Sequence, residues 1–331
     1  MRVPHLKGSP MRFPVAVAIA LCFALPATAH EADLSLDTAT QLLSAANIVS
    51  APKVVDCTLS EGAETSCIQF AVKPEPANHA AGPWCPSNIS DGADQGGIWL
   101  KDGAVLEADG AFFTILADLY DDDEWQLSDP ATGAINVTSS AEACAAAARP
   151  DVDPAYNNYC VQCLTDYVDP DLVITYTIPL VPVAASRTSP INFGGAGVAT
   201  NGIKLDGPAP VDAILDAYTI APFDDCGGHV NLHVGYHFHA VRNCLEVSDL
   251  ALDALVVGIA MDGYLITENA LGLYDLDACN GHIGESGPYH YHAGADGSNQ
   301  ILGCLTAQTG CAVEGEGGVC DATQTSRPPR P

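Results

Sequence analysis

The sequence predicts a β-rich α+β fold that is clipped by disulfides and carries an internally duplicated histidine motif. Residues 226–239 (CGGHVNLHVGYHFH) and 279–292 (CNGHIGESGPYHYH) align without a gap at an offset of 53. From residue 172 onward, short β-branched and apolar segments alternate with Gly-containing turns, as in β-rich domains. The chain also has 13 cysteines, twelve of them after residue 29. An even number of cysteines in an exported chain indicates a disulfide framework.

The first 29 residues are typical of a secretory signal peptide. Basic residues (Arg2, Lys7, Arg12) precede an apolar run at 15–25 and a small-residue cleavage signature that ends at Ala29. The run is much shorter than the roughly 20 residues that span a bilayer, so we expect cleavage after Ala29 rather than membrane insertion. The sequence therefore predicts a periplasmic or secreted protein.

The chain is strongly acidic once this segment is removed. Residues 30–331 keep 9 Lys+Arg and 41 Asp+Glu, and 9 − 41 gives a formal charge of −32. Such a surface repels nucleic acid and anionic membranes and attracts cations. Solubility in a salty medium is the alternative to any functional role for this acidity. We expect a metal ion, not nucleic acid, as partner, and any small-molecule or polymer substrate is unidentified.

The cysteine positions predict several local disulfides. The repeated motif favours Cys226–Cys244 and Cys279–Cys304, and short spacing favours Cys57–Cys67, Cys160–Cys163 and Cys311–Cys320. This leaves Cys85 and Cys144. The alternative for the Cys160-x-x-Cys163 pair is a redox or zinc site.

The secondary structure is predicted in chain order. Short helices are expected at 38–46, 111–120, 141–148 and 211–217, the third opened by Ser139 with Glu142 as a capping box. A strand is expected within 172–183, and hairpins are expected around Asn201-Gly202 and Asp262-Gly263, with type I′ turns. The domain organisation follows as a leader at 30–55, an α+β region at 56–170, a metal-binding β-rich domain at 171–311 and a flexible tail at 312–331.

The histidines of the motif point to a transition-metal site. Alternate residues of a strand share a face, so His237 and His239 lie side by side, as do His290 and His292. With His229 and His282 this gives six imidazoles, which favour copper, zinc or iron over calcium or magnesium. If the two motifs pack about a pseudo-twofold axis, their histidines meet in one closed site, or they form two sites of three. A buried hydrogen-bonded network without an ion is the alternative.

Three further histidines are weighed as ligands. His233 lies inside the first motif, and His79 stands in the separate segment 77–83. His30 would become the amino terminus after cleavage, where its α-amine and imidazole together could chelate copper; coincidence is the alternative.

The sequence resembles the bacterial family named for its YHYH motif. The resemblance rests on GVATNGIKL (197–205), GIAMDGYLI (258–266) and the two histidine motifs, and extends to segment 77–83. It implies an exported or surface-associated protein without implying a reaction. Phe238 departs from the family's second tyrosine, which stands at Tyr291 in the second motif.

Three functions are consistent with these residues. An exported metal-binding protein is the first, and a copper- or iron-dependent oxidoreductase is the second, suggested by Tyr289 and Tyr291 beside the histidines. The third is a zinc-dependent hydrolase with Glu285 or Asp262 as the base.

Overall fold

The protein is described by a computed structural model that covers residues 34–192, 194–245, 247–250, 252–284 and 287–324. The predicted signal peptide, His30 and Glu285 lie outside these residues. The described residues belong to one compact unit.

Short strands dominate the described chain. They are β1 (Ile48–Thr58), β2 (Glu64–Val72), β3 (Gly97–Lys101), β4 (Ala104–Ala108), β5 (Ile174–Pro179), β6 (Ala184–Ser189), β7 (Gly197–Ala199), β8 (Lys204–Leu205), β9 (Gly228–Asn231), β10 (Gly235–Phe238), β11 (Val256–Ala260), β12 (Leu265–Thr267), β13 (Gly281–Ile283), β14 (Tyr289–His292), β15 (Leu305–Ala307) and β16 (Cys311–Glu314). The α-helices are α1 (Leu36–Leu42), α2 (Gly110–Thr114), α3 (Leu116–Tyr120), α4 (Ala141–Ala147) and α5 (Val211–Leu215). None of these helices exceeds seven residues, so the chain is β-rich and the α+β expectation is not confirmed.

The strands that carry the histidine motifs belong to one eight-stranded sheet, in the order β13-β14-β12-β11-β7-β8-β10-β9. Its two halves use the same pairings: an antiparallel hairpin (β7–β8 or β11–β12), then a parallel neighbour (β10 or β14), then an antiparallel edge strand (β9 or β13). The halves join through the antiparallel pair β7–β11, with Val198 opposite Ile259. The motifs therefore occupy opposite ends of the sheet.

A second sheet connects distant parts of the chain. Its order is β1-β2-β5-β16, and two-stranded sheets pair β3 with β4 and β6 with β15. Strand β5 pairs with β2 and with β16, so residues on both sides of 170 share a sheet. Residues 311–314 form β16, so the beginning of the expected tail is ordered by strand pairing.

The main core contains apolar residues from the strands of both sheets. It includes Phe70, Tyr176, Val198, Ile259 and the aromatic residues of both motifs. A second core forms around Trp99, Phe112, Phe113 and Trp125 beneath the short helices. Of the described residues, no helix is long and apolar enough to cross a bilayer.

Six disulfides join the twelve cysteines that follow residue 29. Four of the predicted pairs are confirmed: Cys57–Cys67, Cys226–Cys244, Cys279–Cys304 and Cys311–Cys320. The predicted Cys160–Cys163 pair is wrong, because Cys160 bonds to Cys85 and Cys163 bonds to Cys144. Both sulfurs of this C-x-x-C segment are thus in separate disulfides and form neither a redox pair nor a zinc site.

The predicted helices and hairpins occur with local differences. The helix expected at 111–120 is interrupted at Ile115, between α2 and α3. Helix α4 is capped by Ser140 rather than Ser139, because the Ser140 hydroxyl accepts the Ala143 N–H. Both hairpins are present, but of the two central residues of each turn only the glycine has positive φ, 80° at Gly202 and 92° at Gly263. A type I′ turn needs positive φ at both central residues, so that turn type is wrong.

Candidate functional site: two histidine clusters

Each histidine motif folds into a pair of antiparallel strands. In the first motif β9 pairs with β10, and His229 lies directly opposite His237. In the second, β13 pairs with β14, and His282 lies opposite His290. Directly opposed side chains are the closest neighbours on one face of a sheet. The register therefore brings the CxGH histidine against the His-x-His pair in both motifs.

The first cluster consists of His229, His237 and His239. The three ring centroids are 4.7 to 4.9 Å apart. One ring nitrogen from each lies within 4.8 Å of the others. This spacing allows three imidazoles to share one ion.

The second cluster consists of His282, His290 and His292 together with Asp253. The two Nε2 atoms of His282 and His292 are 3.1 Å apart. The Asp253 carboxylate lies 3.0 Å from His282 Nε2 through Oδ2 and 2.8 Å from His290 Nε2 through Oδ1. Three imidazole nitrogens and one carboxylate thus converge.

The other ring nitrogen of four of these histidines contacts a backbone carbonyl. His237 Nδ1 lies 3.1 Å from the Gly235 oxygen, and His239 Nδ1 lies 2.5 Å from the Gly207 oxygen. His290 and His292 repeat this with Pro288 and Glu268, each at 3.0 Å. A carbonyl only accepts a hydrogen bond, so these contacts require the proton on Nδ1. In the neutral rings of His237 and His239, Nε2 then carries a free lone pair, as in protein imidazoles that bind metals. In the second cluster, His290 Nε2 faces the Asp253 carboxylate and His292 Nε2 faces His282 Nε2.

Burial keeps the imidazoles of the first cluster neutral. Desolvation lowers the pKa of His239, and it lowers the pKa of His229 and His237 well below the usual value. Desolvation also lowers the pKa of His292 in the second cluster. Neutral imidazole is the form that coordinates a metal ion, so these residues need not lose a proton to do so at neutral pH.

In each cluster an aromatic ring packs against two histidines, and these two histidines are equivalent in the two motifs. Phe223 lies 4.9 Å from His229 and 5.3 Å from His239, between ring centroids. Tyr274 lies 4.7 Å from His282 and 5.2 Å from His292. Phe223 is buried, whereas Tyr274 is partly exposed. The first cluster is therefore the more enclosed of the two.

An aspartate fixes the turn that leads into each motif. Asp224 Oδ1 accepts the N–H groups of Cys226 and Gly228, both at 3.1 Å. Asp277 Oδ1 accepts those of Cys279 and Gly281, at 2.8 and 3.0 Å. Each aspartate also receives a tyrosine hydroxyl, from Tyr236 at 2.8 Å and from Tyr289 at 2.8 Å. The disulfides at Cys226 and Cys279 close the same turns.

The aromatic residues of the YHxH tetrads face away from the histidines. Strand alternation turns Tyr236, Phe238, Tyr289 and Tyr291 to the opposite face, where all but the half-buried Tyr289 are fully buried. The Tyr291 hydroxyl donates to Asp262 Oδ2 at 2.7 Å. Burial raises the pKa of Tyr289 and Tyr291, so both hydroxyls stay protonated. These four aromatic residues form an apolar backing behind the histidines, and the tyrosine hydroxyls donate to aspartates rather than to the clustered histidines.

The remaining predicted residues lie apart from the clusters. His233 is exposed between β9 and β10. His79 packs edge-on against Tyr236, with its Nε2 3.4 Å from the Tyr236 hydroxyl. It lies near Asp224 and Cys226, but the Cys226 sulfur is in a disulfide and offers no thiolate. Asp262 is buried beneath Tyr291, so it does not lie beside the histidines as the hydrolase hypothesis required.

The two motifs do not meet in a single site. They form separate groups at opposite ends of the sheet, because β7 and β11, not the histidine strands, join its two halves. Sequence reasoning also missed Asp253, Phe223 and Tyr274, which lie outside the aligned motifs. It missed Asp224 and Asp277 as well, although both stand two residues before the motif cysteine and were visible in the alignment.

Comparison with known proteins identifies one family. Residues 175–274 match the family described as YHYH protein. This segment runs from β5 to Tyr274 and contains the whole first cluster together with Asp253. No curated protein and no solved structure matches the chain. The matched segment, which contains the histidine strands β9 and β10, supports a YHYH-family protein.

Proposed function

We propose that this protein binds transition-metal ions at two separate sites, one at each end of the eight-stranded sheet. His229, His237 and His239 hold the first ion. His282, His290 and His292 hold the second, with Asp253 as a further ligand. Imidazole nitrogens with one carboxylate suit zinc, copper or iron.

The observation that carries this proposal is the set of four Nδ1 contacts to backbone carbonyls. The same contacts recur in both clusters although the surrounding residues differ: Gly235 and Gly207 in one, Pro288 and Glu268 in the other. A hydrogen-bonded network without an ion needs Nε2 hydrogens or acceptors in each cluster. The second cluster has such an acceptor in Asp253. In the first cluster only histidine groups converge among the described residues, and neutral imidazoles with their protons on Nδ1 turn their lone pairs toward one another, which supports a cation between them.

Two sites also agree with an internal duplication of the half-sheet. Each half supplies its own hairpin, its own carbonyl contacts and its own disulfide. Six disulfides support a location in an oxidising compartment outside the cytoplasm. The acidic composition of the chain favours the approach of cations.

The contacts around these sites favour metal binding over catalysis. The oxidoreductase alternative used Tyr289 and Tyr291, whose hydroxyls donate to Asp277 and Asp262 on the other face of β14. The hydrolase alternative used Asp262, which is buried beneath Tyr291, and Glu285, which lies outside the described residues. The contacts of the described residues thus favour a metal-binding function.

The metal content of the purified protein tests the proposal. We expect two equivalents of a transition metal in the wild type, one each in His237→Ala and His290→Ala, and none in the double variant. Each substitution removes the central imidazole of one cluster and leaves the other cluster intact at the far end of the sheet. Elemental analysis after dialysis against buffer with added Zn²⁺ measures the content.

His233→Ala is the matched control, because His233 belongs to the first motif but is exposed outside the cluster. It should retain two equivalents. Equal metal content in all variants, or loss of metal in His233→Ala alone, would refute the assignment.

A further inference from the structure

The two clusters differ in the charge that surrounds them. Asp253 belongs to the second cluster, and its two oxygens approach the Nε2 atoms of His282 and His290 within 3.0 Å. Within the described part of the chain, the metal-ligating groups that converge at the first cluster are three histidines alone. The second cluster therefore has four donors and the first has three.

A lysine lies beside the first cluster where the second has a leucine. Lys204 stands opposite His237 in the parallel pair β8–β10, and its side chain is largely buried. Its ammonium forms an ion pair with Asp206 at 2.9 Å. In the other half of the sheet, Leu265 occupies the matching position of the hairpin. The Asp206 carboxylate thus pairs with Lys204; its charge also acts on His229 and His239, but it is not among the groups whose ligand atoms converge there.

Four protein donors complete the tetrahedral coordination that zinc prefers, whereas three leave one position open. A divalent ion held by three neutral imidazoles also keeps its whole charge, which attracts an anion in the low dielectric of a buried site. At the second cluster, the Asp253 carboxylate already supplies one negative charge. The ring of Phe223 against His229 and His239 restricts the first cluster to small ligands.

We propose that the two sites are inequivalent: Asp253 closes the second site, and the first site takes a small anion from solution as its fourth ligand. This inference rests on the proposed metal binding and assigns the exchangeable position to the His229, His237 and His239 cluster. The ligand class is a compact monoanion that fits beneath Phe223 near the Lys204 side chain.

Cobalt and azide test this assignment. Co²⁺ replaces zinc in such sites, and its visible absorption reports the number and type of ligands. His290→Ala leaves only the first site, and His237→Ala leaves only the second. We expect azide to shift the cobalt spectrum of His290→Ala in a saturable way and to leave that of His237→Ala unchanged.

Asp253→Asn in the His237→Ala background is the matched test of the closing carboxylate. Loss of the carboxylate should make the second site respond to azide. An azide response at the intact second site, or none at the first, would overturn the inequivalence. If neither single-site variant bound Co²⁺, the proposed metal binding itself would fail, so the two failures are distinguishable.

Discussion

The Nδ1 contacts of His237, His239, His290 and His292 decide which ring nitrogen faces the centre of each cluster. Each of the four has a main-chain carbonyl as acceptor, and within the described residues only His292 Nδ1 also contacts a side chain, the Thr267 hydroxyl at 2.9 Å. The tautomer therefore depends mainly on backbone geometry. For this reason, substitutions at Gly207 or Glu268 should leave the contact in place unless they move the chain. At the scale of single residues, the sites are thus fixed by the strands themselves.

Asp262 gives the clearest pH dependence among the single residues. Burial raises the pKa of its carboxyl to about 6, although Tyr291 and two N–H groups donate to it. Because the folded-state pKa exceeds the unfolded value of about 3.9, the stabilising contribution is full below pH 4 and is lost as the pH rises through about 6. Asp262→Asn cannot ionise and removes this dependence. We expect the wild type to lose about 3 kcal/mol more than the variant between pH 4 and pH 8.

Urea denaturation of both proteins across this pH range, with a chelator present, measures the difference. The chelator keeps metal binding by the histidines from contributing. Parallel stability curves for the two proteins would show that Asp262 does not titrate in this range.

The single residues of the site were only partly predictable from the sequence. His229, His237, His239 and their counterparts were found because the motif occurs twice and strand alternation is regular. Asp253 lies 29 residues before His282, and only the folding of the chain over β11 and β12 brings it to the cluster. Nothing local distinguishes it from the other acidic residues of this chain.

The turn that enters each motif is the element on which cluster geometry depends. A Cβ on Gly228 would lie 2.4 Å from the hydroxyl of Tyr236, which is fully buried. Gly228→Ala should therefore displace Tyr236 from Asp224 and destabilise the protein by about 1–3 kcal/mol. Thermal denaturation measures the loss, and metal content should fall at the first site only.

Gly92→Ala is the control for this substitution. Its Cβ would meet only the exposed side chain of Asp94, at 3.2 Å. We expect its stability to stay within about 0.5 kcal/mol of the wild type. If Gly228→Ala were equally mild, the packing of Tyr236 against this turn would not be a constraint.

Elements with local signals were predicted better than elements with distant partners. The hairpins at Asn201-Gly202 and Asp262-Gly263 were found because glycine accepts positive φ at low cost. The parallel pairs β8–β10 and β12–β14 were not predicted, since 29 and 21 residues with other strands among them separate the paired strands. Cys85–Cys160 spans 75 residues, and such a pairing depends on the assembled fold rather than on spacing.

The order of strands in the large sheet determines the separation of the two sites. Five interstrand steps lie between β10 and β14. At about 4.8 Å for each step, the two clusters lie about 24 Å apart along the sheet. Pulsed dipolar electron paramagnetic resonance on the protein loaded with Cu²⁺ should give a distance near this value.

His237→Ala should abolish the dipolar signal, because only one copper ion then remains. A distance far shorter than five interstrand steps would mean that the motifs meet in one binuclear site and that β7 and β11 do not separate them. The measurement thus tests the whole arrangement independently of metal identity.

His229 and His282 lie on β9 and β13, the two terminal strands of the eight-stranded sheet. Terminal strands expose unpaired peptide groups that can recruit other chains into aggregates. An ion bound between His229 and His237, or between His282 and His290, cross-links each terminal strand to its inner neighbour. With metal bound as proposed, both ends of the sheet would be held to their inner neighbours. Stripping the metal would let the sheet fray from its ends inward and leave the protein prone to intermolecular strand pairing.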